Sequence, residues 1–288
     1  MTSLRQALCH SISILKSHGM EEAHIEARAL LQSVIGLSAA EVYAQPERLL
    51  TTEEAKRVEE LLKRRLSREP LAYITSTKEF YGLEFYVDRR VLIPRPETEL
   101  LVETAIAYAA NRLSPSCTPY ISDIGTGCGA IAISLAKSLP ACKIYATDIS
   151  SDALEVAQIN ARYHNVLHCI TFLQGNLLEP LPEPVDIIVA NLPYVSDREL
   201  SDLPPEIREF EPEIALKGGV DGLEVIKQLL SQVEIKIKPA GCLLLEIRQE
   251  HAPSLMPLVH TSLKNVVLDF LSDLNGIKRV ARISFPDS

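Results

Sequence analysis

The sequence predicts an α/β protein: a Rossmann-like, mostly parallel sheet of seven strands with a C-terminal antiparallel hairpin, plus a small N-terminal helical domain. Three observations carry this. From Tyr120 onward, strand-like runs alternate with helix-like runs, which implies a parallel sheet covered on both faces. Residues 1–77 show helical periodicity alone. Near the end, Asn275-Gly276 separates two strand-like runs, and Asn-Gly is a tight-turn signal for an antiparallel pair.

Taken in order, Leu4, Leu8, Ile12 and Leu15 mark a first helix, and Ile25, Ala29, Leu30 and Val34 a second that stops at Gly36. Thr51 and Glu54 have capping-box spacing at the start of TTEEAKRVEELLKRRLSRE, and Pro70 closes that run. KEFYGLEFYVDRRVLI (78–93) is aromatic and β-branched, with turn signals at Gly82 and Asp88-Arg89, so residues 78–95 are expected to form a β-hairpin linker. A helix follows from Glu97 to Asn111. The sheet strands are expected at Tyr120–Ile124, Lys143–Thr147, Cys169–Leu173, Val185–Ala190, Cys242–Ile247, Val266–Phe270 and Lys278–Ser284. Helices are expected at Ala130–Ser138, Asp152–His164 and Leu223–Lys236. The second domain thus spans 96–288.

The 288 residues suffice for one large or two modest domains, and the composition is that of an ordinary soluble chain. A net charge of −9 and a pI near 5.4 argue against sequence-independent nucleic-acid binding. The basic clusters Lys63-Arg64-Arg65 with Arg68, and Lys278-Arg279 with Arg282, read as solvated faces. No run approaches a membrane span or a signal-peptide core. Six scattered cysteines lack metal or disulfide spacing, so free thiols in a reducing cytoplasm and no metal are expected.

Chemistry concentrates at strand ends. Asp123-Ile124-Gly125-Thr126-Gly127-Cys128-Gly129 joins the first sheet strand to its helix, and glycines let backbone approach a ligand. A plain strand-to-helix turn would use the same residues. Asp148, followed by Ile149, ends the next strand about 20 residues on, where an acid accepts ribose hydroxyls; a helix N-cap is the other use. The spacing G-x-G-x-G differs from the dinucleotide G-x-G-x-x-G. Asp123 beside it would repel a pyrophosphate and welcome an ammonium. S-adenosylmethionine carries an ammonium and a ribose and no phosphate, so charge favours it over NAD.

Ile188 to Val195, IVANLPYV, ends a buried strand on a carboxamide, a proline and an aromatic ring. This is either a turn or a pocket that holds an amide or amino group.

With these stretches in view, the chain resembles class I S-adenosylmethionine-dependent methyltransferases, and more closely the release-factor glutamine methyltransferase family (PrmC or HemK). The matching stretches are FYGLEFYVDRRVLIPRPETE (80–99), DIGTGCGAIAISLA (123–136), TDISSDALEVAQINA (147–161), FLQGNLLEPL (172–181), ANLPY (190–194), EPEIALKGGVDGL (211–223) and LLLEI (243–247). LIPRPETE and ALKGGVDGL are the family-specific ones. The resemblance implies a seven-stranded methyltransferase sheet and methyl transfer from S-adenosylmethionine to the side-chain amide of the Gln in the GGQ motif of peptide chain release factors. It also implies that the helical domain 1–77 recognises the protein substrate and that the chain is a monomer.

The resemblance implies site residues as well. Asn191 and the main-chain carbonyl of Leu192 would accept the two N–H groups of the substrate amide, Pro193 would restrain Leu192, and Tyr194 would pack on the amide plane. Asp123, Gly125, Thr126, Gly127, Cys128, Gly129, Asp148 and Ile149 would hold the cofactor. Asn176 and Leu177 lie where the family contacts adenine, and Arg95 would reach the cofactor carboxylate or brace the domain junction. Three positions depart from the family pattern: Leu192 replaces a proline, Asn176 an aspartate and Arg248 a glycine. Two rival functions follow from the same residues: an adenine amino-methyltransferase acting on DNA or RNA, since the pocket suits any planar NH2, and a non-catalytic cofactor-binding scaffold.

Overall fold

The computed structural model describes residues 2–112 and 118–287, so Cys117 lies outside the described residues. The chain divides into two compact units. One comprises the residues up to Thr77 together with Pro204–Phe210; the other comprises Lys78–Leu203 and Glu211–Ser288.

The helical unit contains α1 (Leu4–Ser17), α2 (Ala23–Ile35), α3 (Ala39–Ala44), α4 (Thr52–Leu66) and α5 (Leu71–Thr75). Helices α1, α3 and α4 each open with a complete capping box, from Ser3/Gln6, Ser38/Glu41 and Thr51/Glu54. Gly36 ends α2 in the left-handed region, as its position after the periodic run predicts. The buried stripe of α2 is Ala23, Ala27, Leu30 and Leu31, whereas Ile25 is half exposed. The expected face is therefore rotated, because small alanines rather than Ile25 sit against the other helices. The basic cluster of α4 is not a solvated face throughout. Arg65 is buried and bonds Glu26 at 2.9 and 3.1 Å and Glu206 at 3.3 Å. Glu206 comes from Pro204–Phe210, a segment that a contiguous 96–288 domain would have assigned elsewhere.

The second unit opens with the hairpin β1 (Thr77–Phe80) and β2 (Leu83–Tyr86). Tyr81 and Gly82 both have positive φ, the signature of a two-residue type I′ turn. The hairpin is more than a linker. After α6 (Glu99–Arg112), β3 (Tyr120–Ile124), α7 (Ala130–Ser138) and β4 (Lys143–Asp148) comes α8 (Ser151–Tyr163), and Asn160 of α8 grips β2. Its side chain accepts from the Tyr86 N–H and donates to the carbonyls of Tyr86 and Cys128. One buried carboxamide thus ties hairpin, helix and glycine loop together.

Strands β5 (Ile170–Gln174), β6 (Val185–Ala190), β7 (Ile237–Glu246), β8 (Val267–Ser272) and β9 (Lys278–Ser284) complete a seven-stranded sheet in the order β5-β4-β3-β6-β7-β9-β8. The first five in this order are parallel and the β9 and β8 pairings antiparallel. Every residue of α7 from Ala130 to Ala136 is buried, so GAIAISLA forms a helix covered on all sides. A helix that the expected elements do not include spans Ala252–Ser262; Pro253 in its first turn and Pro257 within it interrupt the period.

The chain winds from β3 outward to β5, then crosses to place β6 on the other side of β3. This is a topological switch point, where open α/β sheets bind ligands at strand carboxyl ends. Ile124 pairs with Ala190, so the glycine loop and the Asn191 turn leave the sheet side by side.

Candidate active site

A cavity of about 660 Å³ opens at that switch point. Its glycine-loop wall is built mostly from backbone. The N–H groups of Gly125 and Thr126 both donate to the Thr147 carbonyl at 2.9 Å. Gly127 donates to the Asp148 carboxylate at 2.9 Å, and Gly129 to the Thr126 carbonyl at 2.8 Å. These donors are spent on the end of β4 and on the loop itself, so the loop is not a phosphate cradle. Gly129 caps α7 with φ +84°, and a Cβ there would lie 3.0 Å from Ile133 and 3.2 Å from Ala157. Glycine is required at 129 by helix packing as well as by backbone conformation.

Asp148 ends β4 and lines the cavity. One oxygen accepts from Gly127 and the other from the Ser150 N–H. Ser150 itself caps α8, which leaves Asp148 free of that task. Burial raises the Asp148 pKa above the ordinary carboxylate value, against the pull of these backbone donors.

The structure separates the residues expected around the cofactor into two groups. Gly125, Gly127, Asp148, Ile149, Asn176 and Leu177 line the cavity. Asp123, Thr126, Cys128, Gly129 and Arg95 do not. Asp123 is fully buried beneath the loop, where it accepts from the Thr126 hydroxyl at 2.7 Å and the Ala132 N–H at 3.1 Å. Burial pushes its carboxyl up to about 7. It braces the turn. The Cys128 thiol is likewise buried, and its pKa is pushed up to about 12. Arg95 pairs with the buried Glu211, whose other oxygen accepts from the Ile93 N–H.

The opposite wall is the turn after β6. Asn191, Leu192 and Pro193 line the cavity. The Asn191 Nδ2 donates to the Thr98 hydroxyl oxygen at 3.1 Å. Its Oδ1 and the Leu192 carbonyl accept no hydrogen bond among the described residues. Two unspent acceptors thus stand on consecutive residues at the cavity edge. The Leu192 side chain is buried, and its Cδ2 lies 3.4 Å from where a Cβ on Gly125 would sit. Tyr194 is not among the residues that line the cavity and packs edge-on against His251, with ring centroids 6.1 Å apart. Burial, with the charges of Glu246 and Glu97, pushes its phenol up to about 12. It therefore remains protonated and acts as an aromatic support.

Residues 6–75 match the PrmC N-terminal domain, and residues 99–204 match the methyltransferase small domain. The chain is 40% identical over 257 residues to the release factor glutamine methyltransferase of Moorella thermoacetica, covering 89% of each chain. It is 37% identical over 265 residues to that of Bradyrhizobium diazoefficiens, covering 92% of this chain and 89% of the relative. The chain belongs to the release factor glutamine methyltransferase family. At the level of fold alone, it is similar to the hMettl16 catalytic domain solved with the MAT2A 3′UTR hairpin 6, with TM-score 0.57 and 16% identity over 83% of this chain and 84% of that one.

None of the site residues expected from the sequence lies in EPEIALKGGVDGL (211–223), yet that segment forms part of the site. Pro212 to Ala215, Lys217, Gly219 and Glu224 all line the cavity. The segment lies flat on the Asn191 turn. Val195 donates to Leu216, and Gly218 donates back to Val195 at 2.8 Å. A Cβ at Gly218 would stand 2.8 Å from the Pro193 carbonyl and the Tyr194 Cα, so the approach demands glycine. Its two adjacent glycines after a lysine were the available signal. Among the described residues no group of three or more His, Cys, Asp or Glu is placed to hold a metal ion. No described helix is long and apolar enough to cross a membrane.

Proposed function

We propose that this chain transfers a methyl group from S-adenosylmethionine to the side-chain amide nitrogen of the Gln in the GGQ motif of peptide chain release factors. The observation that carries the reading is the pair of unspent acceptors, Asn191 Oδ1 and the Leu192 carbonyl, at the edge of a cavity in a chain of this family.

The cavity suits the cofactor. Asp148 accepts from backbone N–H groups, and a carboxylate has about four acceptor sites, which leaves capacity for a ribose hydroxyl. Ile149 and Leu177 offer apolar surface for a base, and Asn176 a polar edge. The cationic lining groups Arg90 and Lys217 are each paired, with Asp88 and Asp197, which fits a ligand without phosphate. When bound, S-adenosylmethionine supplies an electrophilic methyl group on a sulfonium.

The chain's own contribution is orientation. A carboxamide nitrogen is a poor nucleophile because its lone pair is shared with the C=O. Asn191 Oδ1 and the Leu192 carbonyl would take its two N–H groups and hold the lone pair toward the methyl carbon. Such positioning supplies roughly 7–11 kcal/mol in well-oriented systems. The acceptor at 192 is main chain, so the leucine retains it. The two acceptors are neutral dipoles, suited to a nitrogen that gains positive charge. The helical unit, held together by Arg65, Glu26 and Glu206, recognises the release factor outside the GGQ loop. We place the reaction in the cytoplasm, by a monomer, without nucleic-acid contact.

The test is transfer of labelled methyl groups to a purified bacterial release factor and to the same factor with its GGQ glutamine replaced by alanine. Label on the first alone supports the reading. Label on neither, with cofactor binding intact by calorimetry, overturns it.

A further inference from the structure

The end of β7 presents an arrangement that the reaction as described leaves unused. Glu246 is 3% exposed; neither carboxylate oxygen meets a donor at full hydrogen-bond geometry among the described residues, and the Thr98 hydroxyl is the hydrogen-bonding side chain that lowers its pKa. A buried carboxyl so thinly partnered is costly and calls for an explanation. Its surroundings are specific. β6 and β7 pair Ala190 with Leu245, so Glu246 stands beside Asn191 where the two strands end. The Thr98 hydroxyl and the charges of Glu97, Arg279 and Arg95 act on its carboxyl, and its own charge acts on Tyr194. Thr98 is 4% exposed and is the residue to which Asn191 donates.

We propose that Glu246 and Thr98 are positioning residues for Asn191: the Glu246 carboxylate accepts a hydrogen bond from the Thr98 hydroxyl, which leaves the Thr98 oxygen lone pairs to hold the Asn191 NH2 and keeps Oδ1 turned to the acceptor site. This rests on the function proposed above. The chemistry is directional. The two ends of a carboxamide are nearly equal in shape and opposite in hydrogen bonding. Asn191 must therefore be told which end to present. An ionised carboxylate only accepts, so it draws the Thr98 proton and fixes the amide. A protonated Glu246 donates to Thr98 instead and frees the Thr98 proton for Oδ1. The orientation is then no longer enforced, and an NH2 turned to the cavity would face the NH2 of the substrate.

The chain contains what such a device needs. Burial, followed by the charge of Glu97, pushes the Glu246 carboxyl up to about 7, while Thr98, Arg279 and Arg95 pull it down. The ionised form prevails above that value, so methyl transfer should rise with pH across it.

The experiment compares wild type, Thr98→Val, Thr98→Ser, Glu246→Gln and Asn191→Ala with a purified bacterial release factor and labelled S-adenosylmethionine, from pH 6 to 8.5. Thr98→Val and Glu246→Gln are expected to lower kcat about 10- to 100-fold, the scale of a misplaced reacting group. Cofactor Kd by calorimetry should change less than about twofold. Thr98→Ser restores kcat because it restores the hydroxyl. The acid limb of the wild-type profile should vanish in Thr98→Val and Glu246→Gln. Should Glu246→Gln fail to fold, the Val and Ser pair at 98 still decides. A Thr98→Val enzyme with wild-type kcat and an intact acid limb, beside an inactive Asn191→Ala, overturns this inference and leaves the function standing. A wild type that never labels the GGQ glutamine overturns both.

Discussion

The glycine-loop wall of the cavity and the Asn191 wall differ in how they are made. The first is made by two adjacent strand ends: a seven-residue loop places N–H groups on Thr147, Asp148 and Thr126, and one carboxylate lines the cavity. The second is assembled from distant segments. Asn191 leans on Thr98, the turn is clamped by Gly218, and Tyr194 rests on His251. A wall made of backbone tolerates side-chain change away from its glycines. A wall made of side chains held by other side chains concentrates its function in a few atoms. Substitutions should therefore separate binding from turnover according to the wall they touch.

The largest separation is expected at Asn191. Asn191→Ala removes one of two acceptors and should lower kcat about 100- to 1,000-fold, the cost of losing one preorganised polar group in an acyl-transfer site. Cofactor affinity by calorimetry should stay within about twofold. Equal loss of both would break the distinction between the walls.

Asp148→Ala should do the reverse. Hydrogen bonds to a charged group are worth about 1.5–3 kcal/mol, so cofactor affinity should fall about 10- to 100-fold. At saturating cofactor, kcat should recover most of its wild-type value. Failure to recover would show that the glycine-loop wall also orients the acceptor.

Leu192→Pro probes a side chain of the Asn191 turn that reaches the glycine loop. The main-chain acceptor survives, so kcat should move only a few-fold. The leucine packs in the core cluster with Ile124, Leu177 and Leu223. Its loss should cost about 1–3 kcal/mol of stability, read from denaturant melts.

The smallest effect sharpens the role of Asp123. Its folded pKa, pushed up to about 7 by burial, lies above the ordinary carboxylate value near 4. Such a group contributes stability that is complete below the ordinary value and is lost as pH rises to about 7. Asp123→Asn should flatten this part of the stability profile, seen as a smaller drop in Tm between pH 5 and pH 8. Cofactor affinity should fall less than in Asp148→Ala. A larger fall would place Asp123 in contact with the ligand after all.

Much of this molecule is determined locally. The strands Tyr120–Ile124, Val185–Ala190 and Lys278–Ser284 begin and end where apolar runs meet turn residues. Gly36, Gly129 and the Thr51 capping box act within one helical turn of their own positions. The G-x-G-x-G loop, Asp148 and the Asn191 turn stand at strand ends, and alternation of strands and helices brings those ends to one edge.

What tertiary structure decided is which groups at that edge face the cavity. Asp123 and Asp148 are both acids at strand ends, yet only Asp148 lines the cavity, because Thr126 and Ala132 fold over the other. Arg95 is spent on Glu211, 116 residues away. Arg65 sits in an ion cluster with Glu206, although its neighbours Lys63 and Arg64 read as a surface run. Glu246 is an acid at the end of a buried strand, and the pairing of β6 with β7 sets it beside Asn191, which is held in turn by Thr98. Periodicity and turn chemistry act over a few residues and are written in neighbouring letters. The state of a carboxylate depends on burial and on charges brought from several elements, and these exist only once the chain has packed.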